Sequence, residues 1–182
     1  MLFRSKYSME LGGNAPFIVF DDADLDNAIN IGAAIKFGNC GQICVAANRF
    51  FVHEKVHDKF LNGLIEKAKN LKIGYSEDLD FEIGPLISKK SRDRITNLIK
   101  DTIDSGGILE YGGGIPKMNG NWFEPTVISG INESMSIFHE EIFGPVASII
   151  KFKYDEEVLN QANKTHYGLA SYLFTKIGRA HV

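Results

Sequence analysis

Hydrophobic and polar residues follow one another along the chain in blocks that predict strands and helices in turn. Short apolar runs at 16–20 and 146–152 are typical of buried strands. Apolar residues three or four positions apart, as at Leu25, Ala28 and Ile29, instead predict a helix with one buried face. The predicted strands cover 16–20, 48–52, 108–111, 121–131, 146–152 and 169–174. The first predicted helix begins at Asp22 or Asp24. Three more helices are predicted at about 56–71, 88–105 and 155–165.

The order of these elements predicts the fold class. Strands that alternate with helices pair in parallel, so the sequence predicts an α/β fold whose sheet is covered by helices on both faces. Ligands of such sheets usually bind outside the carboxyl ends of the strands, and we expect the functional residues there. The three glycines at 112–114 lack the spacing of a phosphate-binding loop and predict a plain surface loop.

Composition narrows the class of protein. The chain has 182 residues, 44% of them hydrophobic and 24% charged, which is ordinary for one domain or for one domain and a fragment. A net charge of −3 gives no reason to expect nucleic acid or a membrane surface as a partner. Two cysteines are too few for a disulfide framework, and no apolar run suits a signal peptide or a membrane span. The sequence therefore predicts a soluble, cytoplasmic protein.

The segment at 37–51, FGNCGQICVAANRFF, carries the strongest candidate for chemistry. Gly41 allows close approach of a ligand to the backbone, and Cys44 follows it by three residues, just before a predicted strand. A cysteine on such a turn can present its sulfur and its own N–H to one small molecule, as attack on a carbonyl requires. The alternative is a buried structural cysteine, since free cysteine is among the most buried residue types.

Four residues in this region also have the order of a zinc site. Cys40, Cys44, His53 and His57 form a C-x3-C-x8-H-x3-H array. The loop between the two pairs is shorter than in zinc fingers, and His53 ends a predicted strand while His57 lies in a predicted helix. We therefore expect no metal site, and interpret these residues as surface histidines and a core cysteine.

Three strings in this sequence resemble the signature segments of the aldehyde dehydrogenase superfamily, in the order and approximate spacing of that family. They are MELGGNAPFIVFDDADLDNA at 9–28, FGNCGQIC at 37–44 and EEIFGPV at 140–146. The resemblance extends from about Ser8 to Lys176 and is greatest to succinate-semialdehyde dehydrogenases. It implies the fold of the aldehyde dehydrogenase catalytic domain, truncated at both ends.

The resemblance assigns roles to four residues. Cys44 matches the catalytic nucleophile, and Glu10 matches the general base that activates water. Glu141 matches the residue that holds the nicotinamide ribose, and Phe143 matches one that packs near the nicotinamide. The implied reaction is oxidation of an aldehyde to a carboxylic acid, through a thiohemiacetal and a thioester on Cys44, with hydride transfer to NAD or NADP. Asn39 and Gln42 also belong to the signature, and we expect them to shape the turn.

The resemblance further divides the chain and marks its departures from the family. It predicts the end of a cofactor-binding domain at 1–13, part of the catalytic domain at 14–176 and a non-native tail at 177–182. It implies a homo-oligomeric parent protein, and a short chain that is incomplete as an enzyme. Gly38 stands where succinate-semialdehyde dehydrogenases usually have a carboxylate-binding arginine, which leaves the aldehyde open.

Two other functions stay open at this point. A cysteine hydrolase or thioesterase would use Cys44 without nicotinamide, but it needs a histidine near the thiol, and none lies within the motif. An inert fragment would keep the signature only as a mark of ancestry.

Overall fold

The computed structural model describes residues 9, 11–74 and 81–177. Six strands form one sheet in the order β3-β4-β5-β2-β1-β6. The strands are β1 (Ala15–Val19), β2 (Ala47–His53), β3 (Ile108–Tyr111), β4 (Thr126–Ser129), β5 (Val146–Phe152) and β6 (Tyr172–Phe174). The helices are α1 (Leu25–Phe37), α2 (His57–Asn70), α3 (Lys89–Asp104), α4 (Ser136–His139) and α5 (Asp155–Asn163).

Parallel pairing, which the sequence predicted, holds for every pair of neighbouring strands except the one at the β3 edge. β1 pairs with both β2 and β6, and β5 pairs with both β2 and β4, all in parallel. β3 pairs with β4 in the antiparallel sense. Residues 112–125 between them contain no helix, so the chain returns by a loop instead of crossing over the sheet. The fold is therefore a mostly parallel α/β sheet with one antiparallel edge.

Helices cover both faces of the sheet, because side chains of β1 and β2 alternate between the faces. On one face, the rings of Phe17 and Phe50 lie 6.2 and 6.1 Å from Phe60 of α2. On the other face, the ring of Phe51 meets Phe138 of α4 edge to face at 6.1 Å. β2 is buried along all seven of its residues, as expected of a central strand between two helical layers.

The helix boundaries agree with capping signals in the sequence. Asp24 is the N-cap of α1 and accepts a hydrogen bond from the backbone N–H of Asn27. Ser88 caps α3 in the same way, through the backbone N–H of Ser91. A capping oxygen satisfies one of the N–H groups that a helix start leaves unpaired. Of the two aspartates considered for α1, Asp24 is thus the cap.

Two predicted strands differ from the structure, and one observed helix was not predicted. The strand predicted at 121–131 is only Thr126–Ser129, because Pro125 precedes it and cannot donate to a ladder. Trp122 is buried, yet it lies in a loop. The last strand begins at Tyr172 instead of residue 169, and the short helix α4 was not predicted. Buried apolar residues such as Trp122 therefore do not by themselves indicate a strand, because they can also pack from a loop.

Within the described part of the chain, no helix has the length and apolar character needed to cross a membrane.

Candidate active site

The residues that carry the candidate chemistry lie at the amino ends of three adjacent strands. Gly13 lies just before β1, Cys44 just before β2, and Glu141 in the loop that enters β5. Parallel strands present their entering loops at one edge of the sheet, so these loops meet. The expectation that the functional residues lie at the carboxyl ends is therefore wrong for this site, because each one precedes its strand.

A left-handed turn after α1 delivers Cys44 to this edge. Residues 38–41 form a 3-10 turn in which Asn39, Cys40 and Gly41 have φ values of 49°, 57° and 67°. A Cβ on Gly41 would overlap the backbone carbonyl of Gly144. Glycine is thus needed here for close backbone approach, as the sequence suggested. The sequence predicts that a ligand approaches the backbone at Gly41. In the structure, the group that approaches it is the backbone of Gly144, in the loop before β5.

The two cysteines of the turn have opposite environments. Cys40 is 1% exposed and belongs to the hydrophobic core, and its burial raises the pKa of its thiol to about 12. Cys44 is exposed. The alternative of a buried structural cysteine therefore applies to Cys40, whose thiol stays uncharged at neutral pH. Cys44 is the accessible thiol of the pair.

Cys44 opens onto a cavity of about 420 Å³. The lining residues are Leu11, Gly12, Gln42, Ile43, Cys44, Glu141 and Phe143. The cavity thus brings together the cysteine and both candidate cofactor-binding residues. Glu10 lies outside the described residues, although its neighbour Leu11 lines this cavity. None of the described lining residues is a histidine.

Glu141 is fixed by the glycine pair that precedes β1. Its Oε1 accepts a hydrogen bond of 2.9 Å from the backbone N–H of Gly13, while a Cβ on Gly12 would lie 2.6 Å from Oε2. Arg94 of α3 donates to the backbone carbonyls of Glu141 and Ile142. The carboxylate is therefore held against backbone that carries no side chain, and a Cβ on Gly12 would overlap it.

The signature residues Asn39 and Gln42 do shape the turn. The Asn39 side chain donates to the backbone carbonyl of Gln42 at 3.2 Å. The Gln42 side chain accepts from the backbone N–H of Ile87 at 2.8 Å and donates to the carbonyl of Pro85 at 3.3 Å. These bonds tie the turn to the chain ahead of α3. Phe143 has a φ of 48°, so the loop on the other side of the cavity is also left-handed.

Sequence reasoning missed a set of buried polar residues near the amino ends of β1 and β2. Lys36 and Arg49 are both 0% exposed, and Asn14 and Asn48 are 2% exposed. Arg49 donates to the backbone carbonyls of Asn14, Gln161 and Ala162, and burial lowers its pKa to about 10. These bonds join the start of β1 to the end of α5. A usable signal existed, because Arg49 interrupts an apolar strand and Lys36 continues the buried stripe of α1 four residues after Gly32.

Tyr172 of β6 is a second residue that the sequence did not single out. Its hydroxyl donates to the backbone carbonyl of Val45 at 2.9 Å, which fixes the residue that follows Cys44. Burial, and to a smaller extent the charge of Cys44, raises the pKa of Tyr172. The edge strand β6, which pairs with β1, thus supports the turn that carries Cys44.

The zinc-like array does not converge. Cys44 lies before the amino end of β2 and His53 at its carboxyl end, so about 20 Å of strand separates them. Cys40 is buried in the core, as expected. His53 and His57 are buried as well, so their interpretation as surface histidines is wrong. Among residues 9, 11–74 and 81–177, no group of three or more His, Cys, Asp or Glu side chains could hold a metal ion.

Comparison with known proteins now decides the family. Residues 4–181 match the model of the aldehyde dehydrogenase family. The chain belongs to that family. It is 46% identical over 171 residues to an NADP(+) succinate-semialdehyde dehydrogenase of Schizosaccharomyces pombe, which covers 93% of this chain and 35% of that protein. It is 42% identical to a betaine aldehyde dehydrogenase of Mesorhizobium japonicum, which covers 96% of this chain and 37% of that protein.

Solved aldehyde dehydrogenases share the fold. The crystal structure of succinate-semialdehyde dehydrogenase from Burkholderia pseudomallei matches with a TM-score of 0.91 at 43% identity, over 93% of this chain and 35% of that one. The chain thus spans about a third of the length of the relatives it matches. The resemblance to the aldehyde dehydrogenase family, and to succinate-semialdehyde dehydrogenases within it, is confirmed.

Proposed function

We propose that this chain supplies the nucleophile and part of the nicotinamide site of an NAD(P)-dependent aldehyde dehydrogenase. The observation that carries the proposal is the shared cavity, in which the exposed Cys44 and the fixed carboxylate of Glu141 line one space. Chemistry on an aldehyde needs a thiol that substrate can reach, beside a place where the hydride acceptor is held.

Cys44 would act first. Its thiolate adds to the aldehyde carbon, and the oxygen of the adduct gains negative charge. The backbone N–H of Cys44 is the donor that this chain offers to that oxygen. Support for a rigid donor comes from the turn, which Tyr172 holds at Val45 and which Gly41 packs against Gly144. Loss of hydride from the adduct leaves a thioester on Cys44.

Glu10 would act last, as the general base that takes a proton from water. The resulting hydroxide attacks the thioester and releases a carboxylic acid. The support from the described residues is indirect. Leu11 lines the cavity, and the backbone at Gly13 lies so close to Cys44 that a Cβ there would overlap the Cys44 carbonyl.

The residues at the cavity fit a nicotinamide nucleotide. A carboxylate accepts hydrogen bonds from ribose hydroxyls, and Glu141 is held with Oε1 on Gly13 and Oε2 close to the backbone of Gly12. Phe143 offers an aromatic side chain at the same cavity. The bound nucleotide would supply the hydride acceptor. NAD and NADP both remain candidates, since relatives include an NADP(+) enzyme and a structure of an NAD+ complex.

We further propose succinate semialdehyde or a related aldehyde as substrate, with position 38 as the point of difference. Gly38 lies on a second cavity of about 520 Å³, between α1 and α2, and no atom lies within 4 Å of a Cβ built on it. Its φ of −52° suits any residue. An arginine side chain at position 38 would therefore have room in this cavity. A cytoplasmic location and a homo-oligomeric parent stay predictions, and one relative, from rice, is named mitochondrial.

The first test uses the chain as it stands. A p-nitrophenyl ester should acylate Cys44, because that step needs only the thiolate and its backbone donor. We expect a burst of one p-nitrophenol per chain, lost in Cys44→Ala and kept in the matched control Cys40→Ala. A burst that survives Cys44→Ala would contradict the assignment. With NAD or NADP and aldehydes, this chain alone should give no steady turnover. Glu141 and Phe143 would contact only one end of the nucleotide, which is too little to hold it in place for hydride transfer.

The second test restores the rest of the protein. Residues 9–176 replace the matching segment of the Escherichia coli succinate-semialdehyde dehydrogenase, which is 43% identical. We expect aldehyde-dependent reduction of NAD or NADP that disappears in Cys44→Ala. A folded chimera that keeps the ester burst but never reduces nicotinamide would overturn the proposal.

The same chimera tests the substrate. Gly38→Arg should raise the preference for succinate semialdehyde over an uncharged aldehyde of similar length by roughly 10–100-fold, because it adds a charge-assisted pair. Gly38→Met, of similar length and without charge, should not. An unchanged ratio in Gly38→Arg would mean that another residue binds the carboxylate.

A thioesterase without nicotinamide gains no support. It needs a histidine near the thiol, and no histidine occurs among the described residues that line the Cys44 cavity.

A further inference from the structure

Lys36 is a buried ionisable residue that the proposed chemistry does not use. Its side chain is fully enclosed at the end of α1, on the face that packs on the sheet. Burial of an ammonium group is costly, and an apolar side chain of similar length would fill the same space more cheaply. A lysine at such a position therefore calls for a reason other than packing.

The hydrogen bonds of Lys36 lead to the candidate site. Its Nζ donates to the side-chain oxygen of Asn48 at 3.3 Å, and the Asn48 side-chain nitrogen donates to the backbone carbonyl of Gly13 at 3.1 Å. An amide group has two orientations of nearly equal shape, and they differ in which end donates. Because Lys36 donates to the side-chain oxygen of Asn48, it favours the orientation in which the Asn48 nitrogen points to Gly13. Lys36 thus keeps the donating end of Asn48 on Gly13.

Gly13 is held on its other side by Glu141. Its backbone N–H donates to Oε1 of that residue at 2.9 Å, while Ser148 of β5 fixes Asn48 through the Asn48 backbone carbonyl. The chain from Lys36 to Glu141 therefore has three hydrogen bonds in series. It crosses from α1 to β2, to the segment before β1 and to the loop before β5.

Charge favours the same arrangement. Burial lowers the pKa of Lys36 to about 7, and the negative charges that would oppose this belong to Cys40 and Glu141. Burial also raises the pKa of Cys40 to about 12, so that thiol is uncharged when Lys36 titrates. Glu141 is thus the group whose negative charge favours the protonated form of Lys36 at neutral pH, against a pKa that burial lowers.

We propose that Lys36 is a positioning residue: through Asn48 it clamps the Gly12–Gly13 backbone, and the clamp sets the carboxylate of Glu141 at the Cys44 cavity. The inference rests on the proposed function for its meaning in catalysis. The clamp itself is a physical claim about this chain, and it can be tested without substrate or nucleotide.

The decisive measurement is amide hydrogen exchange of the 182-residue chain by NMR, in wild type and in Lys36→Met. The Gly13 amide should exchange at least about 10-fold faster in the variant, because its partner Glu141 is no longer matched to a fixed backbone. The amide of Phe51, within central β2, should be unchanged. The melting temperature should stay level or rise by about 2–4 °C, because a buried charge is removed. The matched control is Lys100→Met, an exposed lysine of α3, which should change neither reading.

These readings separate positioning from plain structure. A merely structural lysine would lower the melting temperature and speed exchange at Phe51 as well as Gly13. That result, or unchanged exchange at Gly13, would overturn the proposal. If Lys36→Met does not fold, Asn48→Asp decides, since it keeps an acceptor for Lys36 and removes the donor to Gly13. Faster Gly13 exchange in that variant supports the clamp, and unchanged exchange rejects it.

The catalytic consequence has its own reading in the chimera. Lys36→Met should raise the KM for NAD or NADP about 10-fold, as expected from the loss of a hydrogen bond to a charged group, and leave the ester burst at Cys44 unchanged. A reduced burst with an unchanged KM would reject the link to Glu141. Failure of the chimera to oxidise aldehydes would count against the proposed function alone, because exchange at Gly13 would still report the clamp.

Discussion

The two ends of the sheet are built in different ways. At the amino ends, backbone meets backbone without room for side chains, as at Gly13 against Cys44 and Gly41 against Gly144. At the carboxyl ends, exposed ion pairs join residues at or just after the ends of the strands. These pairs are Lys55–Asp21 at 2.7 Å, Lys153–Glu54 at 3.9 Å and Lys151–Asp58 at 3.9 Å.

The difference separates a site from a solvated surface. Left-handed backbone and buried polar groups are costly, and structures keep them where geometry must be held. Exposed ion pairs cost little and contribute little, because water screens them. The amino ends therefore have the physical character of a functional site in this sheet, although the general rule for α/β folds favours the carboxyl ends.

The largest expected effect comes from a methyl group at the tightest point of the amino ends. Gly41→Ala should destabilise the chain by about 3 kcal/mol or more, because the added Cβ overlaps the Gly144 carbonyl at a left-handed φ. Urea unfolding measures it. Gly38→Ala, three residues earlier, is the matched control, and it should be neutral or stabilising, since nothing lies within 4 Å of its Cβ. Equal effects of the two changes would mean that the turn is not constrained as described.

The next effect compares the two thiols of the turn. Iodoacetamide should label Cys44 at least about 100-fold faster than Cys40, because Cys40 is enclosed in the core and its pKa is raised to about 12. Peptide mass spectrometry of the native chain gives both rates. Labelling in urea should bring the rates together, and a native Cys40 that reacts as fast as Cys44 would contradict the assignment of the two environments.

A smaller effect concerns pH and the buried lysine. The folded-state pKa of Lys36 lies near 7 and its ordinary value is 10.5, so the unfolded chain binds more protons between these values. Stability should therefore rise by about 2 kcal/mol from pH 7 to pH 9 through this residue. The measurement is urea unfolding of wild type minus that of Lys36→Met, which cancels the other titrating groups. A difference independent of pH would mean that burial does not lower the pKa of Lys36 in the folded chain.

The smallest effect is expected at the carboxyl ends. Lys55→Met removes the pair with Asp21, where both side chains are exposed. The melting temperature should change by no more than about 1 °C, since exposed pairs contribute little. A loss comparable with that of Gly41→Ala would remove the contrast between the two ends of the sheet.

Local pattern was sufficient for most of the fold. The apolar run at 146–152 is the observed strand Val146–Phe152, and the spacing of apolar residues after Asp24 predicted α1. These succeed because a strand buried on both faces and a helix buried on one face have distinct periods. The antiparallel β3 edge was not predictable in this way, because the direction of pairing depends on how residues 112–125 return.

The candidate residues came from motifs, and their arrangement came from the tertiary structure. The resemblance of three strings to the signature segments of the family singled out Cys44, Glu10, Glu141 and Phe143. The sequence by itself did not distinguish the environments of Cys40 and Cys44, because consecutive left-handed residues turn the chain between them in a way that no helical or strand period describes. Nor did it explain Lys36, which has the correct helical spacing for burial but the wrong polarity. Only the folded chain brings Asn48 and Gly13 to that lysine, since hydrogen bonds between distant segments depend on which loops share an edge of the sheet.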